Sequence, residues 1–345
     1  MQPGLVTVMI PSYNYARYLP QAVESAATQS NSDVVIVDNG STDESPDVGR
    51  QLAESYDNVR FVAYPENEGI ITSFNRCRDE VRGEYATLLC ADDVLTPGSL
   101  ERSRALMDEH PTVSLVYGPV EYFSTLDTVS AAEFDRDVRP SVVHAGADWI
   151  DRLCRTGANP IANPEALMRT SVLDGVGRYE PRTPYTSDLN LWLRMAAVCD
   201  VAYLPGPLQA LFRRHDSNEG NAYPNASFAE LSQRWMAFAT FFEGVGDDPR
   251  RFAWETAARR RLAGTARYSA SRAFVRRDDA EVESLLDLAT EIDGAEPIRE
   301  RIGWELRRFL GPSATRLFPP FAPRPIISRI ERVIGDRRRA RQGIA

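Results

Sequence analysis

From the first residues to about residue 110, short apolar runs alternate with helix-spaced segments, and most runs stop on a cluster of turn-forming polar residues. Leu5–Ile10 (LVTVMI) is closed by Pro11-Ser12-Tyr13-Asn14, Val34–Val37 (VVIV) by Asp38-Asn39-Gly40-Ser41, and Tyr85–Cys90 by Ala91-Asp92-Asp93. Val59–Ala63 is a further strand between them. Tyr18–Thr28, Asp47–Tyr56, Ile70–Arg82 and Pro97–Glu109 carry helical spacing, the last with proline near its first turn, a favoured position. Continuous apolar strands separated by helices specify a parallel sheet covered on both faces. Such sheets bind ligands at the carboxyl ends of their strands, where the polar clusters fall. The expected fold class is therefore α/β, a mostly parallel sheet flanked by helices.

The pattern changes from Val113. Val113–Tyr117 and Val120–Phe123 read as strands, followed by an acidic, irregular stretch to about Arg139. Trp149–Arg155 and Ser187–Val198 read as helices, with the turn-former run Asn159-Pro160-Ile161-Ala162-Asn163-Pro164 and the apolar Ala166–Met168 between them. Val201–Leu204 and Leu208–Phe212 are short strands. Beyond Asn225 the spacing is helical over Phe228–Phe242, Arg250–Phe274 and Asp278–Ile292. Pro312, Pro319, Pro320, Pro323 and Pro325 then break the chain before a last basic amphipathic stretch, Ile326–Arg341. The expected organisation is a ligand-binding domain over 1–220, a helical region over 221–310 and a Pro-rich, then Arg-rich tail over 311–345.

Composition excludes several classes. All 40 basic residues are arginine, and the net charge is −9. Twelve arginines against four acids between Pro297 and Ala345 leave +8 there and −17 on residues 1–296, so the body is not expected to bind nucleic acid. Three histidines (His110, His144, His215) cannot make a His-rich metal site. The four cysteines have no CxxC spacing and read as reduced thiols in a cytoplasmic protein. No basic n-region precedes the first strand and no apolar run approaches the roughly 20 residues of a membrane span, so neither a secretory signal nor a span is expected. The Arg-rich end fits peripheral contact with the inner membrane face, self-association on the acidic body, or a helix packed on its own domain.

Neither GxGxxG nor GxxxxGK[ST] follows a strand, which argues against a dinucleotide cofactor and excludes a P-loop. GxSxG is absent as well, which weakens a hydrolase reading. Asp92-Asp93 has two readings: a helix start, since acids favour the positive end of the helix dipole, or a cation site at the end of a buried strand. Asp38-Asn39-Gly40-Ser41-Thr42-Asp43 likewise reads either as a turn into a helix or as a ligand contact, with Gly40 allowing close backbone approach.

Four blocks, TVMIPSYNYARYLPQAVESAATQS, IVDNGSTDES, NEGIITSFNRCRDEVRGEYATLLCADD and SDLNLWLRMA, occur in the order seen in family 2 glycosyltransferases, which the chain resembles over about residues 5–220. The resemblance implies a GT-A fold and an inverting enzyme that uses a nucleotide-diphosphate sugar, UDP or dTDP type. It implies a divalent cation, Mn2+ or Mg2+, held by Asp93, with His215 of Arg213-Arg214-His215 completing its coordination or touching phosphate. The family's first acid aligns with Cys90, so this copy reads C-A-D-D. By the same resemblance Pro11, Tyr13 and Asp38 line the nucleoside pocket, Asn67 and Arg76 run beside the base, and Asp92 meets the ribose. Asp188 of Ser187-Asp188 is the implied general base, the alternative being a plain helix cap. Trp192 and Leu193 read as core, and Asn75 as a backbone partner. The acceptor (a glycan, a lipid-linked sugar or a small molecule) leaves no motif. A sugar-phosphate nucleotidyltransferase would need a Gly-rich loop where PSYNYAR stands, and a non-catalytic scaffold would not need to keep Asp38, Asp93 and Asp188 together.

Overall fold

The computed structural model describes residues 1–125, 139–216 and 218–294. The tail over 311–345, including the basic stretch Ile326–Arg341, lies outside the described residues, as does most of the acidic stretch before Arg139. The chain divides into two compact units, one comprising Met1–Ile150 and Asn159–Asn218, the other Asp151–Ala158 with the chain from Glu219.

The first unit is built on β1 (Gln2–Ser12), β2 (Ser32–Asn39), β3 (Val59–Tyr64) and β4 (Gly83–Leu88), interleaved with α1 (Leu19–Ala27), α2 (Ser45–Ser55) and α3 (Ile70–Asp79). β1 pairs in parallel with both β2 and β4, and β2 with β3. Val8, Met9, Ile10 and Val34 to Val37 are fully buried, as strands covered on both faces require. α1 and α2 each start on a proline in the first turn, where a missing N–H costs nothing. α1 buries Leu19, Ala22, Val23 and Ala26 on one stripe.

After β4 come β5 (Val94–Leu95), α4 (Ser99–Glu109), β6 (Val113–Tyr117), β7 (Val120–Phe123), β8 (Val142–His144), α5 (Gly146–Thr156), β9 (Leu167–Arg169), α6 (Thr170–Gly175), α7 (Ser187–Ala196), β10 (Asp200–Tyr203) and β11 (Ala210–Arg213). The main sheet has the order β3-β2-β1-β4-β9-β6-β10-β8. β9 lies antiparallel between β4 and β6, and β8 is an antiparallel edge. A second sheet, β5-β11-β7, joins three short strands from distant parts of the sequence. The sequence placed no strand at Val94–Leu95, yet this pair carries the chain away from Asp92-Asp93 and ties it to β11. α4 begins at Ser99 behind Gly98, so neither aspartate caps it, and the helix-start reading of that pair is corrected.

The second unit holds α8 (Phe228–Gly244), α9 (Arg251–Arg276) and α10 (Asp279–Asp293). α8 opens on a reciprocal cap: Ser227 Oγ accepts the Glu230 N–H at 3.2 Å, and Glu230 accepts the Ala226 N–H at 3.1 Å. Phe238, Phe241, Trp254, Leu262, Leu285 and Ile292 form its buried interior. Among the described residues no helix is long and apolar enough to cross a membrane.

Candidate functional site

The carboxyl ends of β1 and β2 are locked to each other. Asp38, 1% exposed, accepts the Ser41 N–H (3.0 Å) and the Ser41 hydroxyl (2.5 Å), one on each carboxylate oxygen, closing an Asx-type turn. Asn14 takes φ +59°, a conformation asparagine tolerates, and its Oδ1 accepts the N–H groups of Thr42 (2.8 Å) and Asp43 (3.3 Å). The N–H groups of Asn14, Tyr15 and Ala16 are received by Ser41, Ser45 and Asp43. Gly40, at φ +75°, is required here because a Cβ would stand 2.5 Å from the Glu66 carbonyl carbon. The backbone that Gly40 admits here includes the chain's own, at Glu66. Pro11 and Tyr13 lie at this edge, Tyr13 39% exposed.

Asn67 and Arg76 belong to a neighbouring knot. Asn67 Oδ1 accepts from Asn39 and from the Gly69 N–H, both at 2.9 Å. Arg76 donates to Asn39 Oδ1 (2.9 Å), pairs with Glu68 (2.7 Å) and lies 3.8 Å over the Tyr64 ring. Its guanidinium is therefore engaged on three sides inside the chain and organises this loop.

Beyond β4, the Asp93 N–H turns back to the Cys90 carbonyl at 3.0 Å, which places Cys90 Sγ and the carboxylates of Asp92 and Asp93 within 4.8 Å of one another. Asp93 is 1% exposed; its Oδ1 accepts the Arg213 N–H at 2.9 Å and its Oδ2 has no partner. Burial and the adjacent Asp92 charge push its pKa well above the ordinary carboxylate range, against the Arg213 N–H. Asp92 is held by His215 Nε2 (2.9 Å) and Asn218 Nδ2 (3.1 Å). His215 thus reaches the cluster through Asp92, and its ring stacks on Tyr18 at 4.9 Å. Arg213, 4% exposed, anchors the turn: its Nε donates to the Asp92 carbonyl (2.7 Å) and its Nη2 to Gln21 (2.5 Å), between the rings of Tyr18 and Phe123.

Asp188 sits within the first turn of α7 rather than at its cap, which is Thr186; the plain-cap reading is corrected. Asn159 Nδ2 donates to Asp188 Oδ2 at 2.7 Å, and Asn159 Oδ1 in turn accepts the Ile161 N–H. Burial raises the Asp188 pKa to about 6, although the Leu189 N–H and Asn159 favour its ionised form. Glu165, 4% exposed, accepts the Ala162 N–H at 2.7 Å on Oε1 and has no partner on Oε2. Burial raises its pKa to about 7, and the Asp188 charge adds to the shift. Cys90, Asp92, Asp93, Glu165 and Asp188 all lie within electrostatic reach of one another's neighbours, and burial first, then Asp93 and Asp92, push the Cys90 thiol up.

The structure therefore brings Asp92, Asp93, His215 and Asp188 towards one acidic centre, with Pro11, Tyr13 and Asp38 on the adjoining strand ends, Asn67 in the loop after β3 and Arg76 on α3. Sequence reasoning missed Asn159, Glu165, Tyr18, Asn218 and the anchoring role of Arg213. Glu165 did carry a signal, being an acid directly before the apolar run Ala166–Met168. Trp192 and Leu193 are fully buried, and Asn75 pairs with both backbone groups of Tyr179. A buried carboxylate oxygen with no donor, beside two further ligand atoms, fits a divalent cation.

The mixed, mostly parallel sheet, with Asp38 and Asp92-Asp93 beyond the carboxyl ends of β2 and β4, is a GT-A-like fold. S. aureus TarS 1-349, solved in complex with UDP-GlcNAc, superposes with a TM-score of 0.62 at 16% identity over 87% of this chain and 83% of that one, a likeness of fold. Residues 7–158 match the family model Glycosyl transferase family 2. An uncharacterized glycosyltransferase of Nostoc sp. is 42% identical over 99 residues, 28% of this chain and 31% of the relative. One from Rickettsia bellii is 25% identical over 238 residues, 68% of this chain and 33% of the relative. The chain spans about a third of the length of these two relatives.

Proposed function

We propose that the chain transfers a sugar from a nucleoside-diphosphate sugar to an acceptor hydroxyl, with inversion at the anomeric carbon. The observation that carries the reading is Asp93, a buried carboxylate with one unpartnered oxygen at the end of β4. A divalent cation bound by Asp93 and Asp92 would offset the charge that collects on the departing diphosphate. Arg213 holds both aspartates from behind, through the Asp92 carbonyl and the Asp93 carboxylate, so their positions are set before any ligand arrives. Asp188 is the base: it takes the acceptor's proton as that oxygen attacks, while the bond from the anomeric carbon to the diphosphate oxygen breaks. A pKa near 6 leaves it ionised at neutral pH yet close enough to neutrality to accept a proton. The strand-end loops carrying Pro11, Tyr13 and Asp38 would receive the nucleoside. UDP- and dTDP-sugars are the donors to test first.

The test is donor turnover across a nucleotide-sugar panel with Mn2+, Mg2+ or EDTA. Full turnover in excess EDTA, or in Asp93→Asn, refutes the cation-assisted reading. Asp188→Asn should keep donor binding and lose roughly 10²–10⁴-fold in turnover. A product of retained configuration removes the proposed role of Asp188.

A further inference from the structure

One atom sets this acidic centre apart from an all-oxygen cation site: the sulfur of Cys90. Its Sγ lies within 4.8 Å of the ligand oxygens of both Asp92 and Asp93. A metal bound by thiolate at about 2.3 Å and carboxylate at about 2.0–2.2 Å separates those atoms by at most about 4.5 Å, so the group closes on an ion with a shift of a few tenths of an ångström. Asp93 Oδ2, buried and unpartnered, supplies an independent sign that a ligand belongs there. The alternative thiols are elsewhere: Cys77 and Cys154 are fully buried, and Cys90 is the cysteine in the three-residue ligand group found among the described residues.

We propose that Cys90 is a sulfur ligand of the cation held by Asp92 and Asp93, and that it turns the site from Mg2+ towards borderline and thiophilic ions such as Zn2+ and Cd2+. The proposal rests on the cation-assisted reading above. Its physical basis is ligand softness. Mg2+ demands near-octahedral oxygen donors and gains little from sulfur, whereas thiolate favours softer ions. Asp92 is already fixed by His215 and Asn218, and Asp93 by the Arg213 N–H, so two ligands are pre-positioned and the thiol at the start of the same turn is the group whose chemistry decides among ions.

The experiment is direct titration of the full, metal-stripped chain with Cd2+, Mn2+ and Mg2+ as chlorides, without donor. It is done in a Cys199→Ser background, since Cys199 is the other partly exposed thiol. With Cys90 present, Cd2+ should produce sulfur-to-metal charge-transfer absorption in the near ultraviolet. Cys90→Ser should abolish that band and weaken Cd2+ binding at least about tenfold, the lower end of what losing even an outer partner costs a metal site. Mg2+ binding should be unchanged in Cys90→Ser and strengthened relative to Cd2+ in Cys90→Asp. A band of full intensity in Cys90→Ser, or the same ratio of Cd2+ to Mg2+ affinity in all three proteins, overturns the proposal. Asp93→Asn separates the two ideas. Mn2+ binding unaltered in that variant defeats the cation reading itself, whereas Mn2+ lost there with Cd2+ kept in Cys90→Ser defeats the thiol alone.

Discussion

Asn159→Ala removes a side-chain donor to Asp188 while leaving that carboxylate in the first turn of α7. The bond is 2.7 Å long, part-buried, and made to the ionised form of the acid. A hydrogen bond to a charged group contributes about 1.5–3 kcal/mol, and 1.36 kcal/mol corresponds to one pKa unit, so its loss raises Asp188 by about one to two units. The sign follows from which form is favoured: Asn159 stabilises the carboxylate, so without it the base is protonated up to higher pH. From a starting value of about 6, the ionised fraction at pH 7 falls from about nine-tenths to between about a half and a tenth. Turnover at pH 7 should therefore fall about two- to tenfold and recover at alkaline pH. The assay is the full pH profile of kcat for both proteins at saturating donor. Asn159→Asp serves as a contrast, because a second acid there should shift the acidic limb further in the same direction. A uniform drop across all pH values, with the limb unmoved, refutes the idea that Asn159 acts through the proton affinity of Asp188.

Glu165→Gln tests the buried acid beside that base. With its folded pKa raised from 4.5 to about 7, Glu165 contributes stability present below its unfolded value and lost as pH rises through 7. The stability difference between variant and native chain in urea should thus move by about 3 kcal/mol in favour of glutamine from pH 4.5 to pH 8, and a pH-independent difference would refute the assignment. Gly40→Ala combines a strained φ with a clash on Glu66, whereas Gly69→Ala, at φ +87° with nothing within 4 Å, meets strain alone. Strain costs about 1–3 kcal/mol, so the Gly40 variant should melt well below the Gly69 variant, and equal melting temperatures would show that the loop contact is not tight.

The strand–helix alternation of residues 1–110 was legible because β1, β2 and β4 are covered on both faces and so are written as unbroken apolar runs. Asp38 at the end of β2 and Asp92-Asp93 beyond β4 were legible for the same reason, each being charged where a buried run stops. The small sheet was not. β5 has two residues, and its pairing with β11 is fixed by the Thr96 N–H to Gln209 carbonyl bond and its neighbours, contacts that no local pattern encodes. Nor was the Asn159–Asp188 bond, which spans 29 positions from a run of turn formers to a helix. Arg213 was visible as a charged residue after a strand, but only the fold reveals that a fully engaged, buried guanidinium acts as a strut for the turn at Asp92-Asp93.

The stitching of the β1 and β2 loops bears on how a ligand would be met. Five backbone N–H groups, those of Asn14, Tyr15, Ala16, Thr42 and Asp43, already have partners within the chain. Conformational freedom in these segments is surrendered during folding, before any encounter, so association does not have to quench it again. If these loops receive the nucleoside as proposed, such a surface would discriminate by fit: a molecule of the wrong outline could not recruit the loops to mould around it, and selection would fall to steric match at a preformed edge.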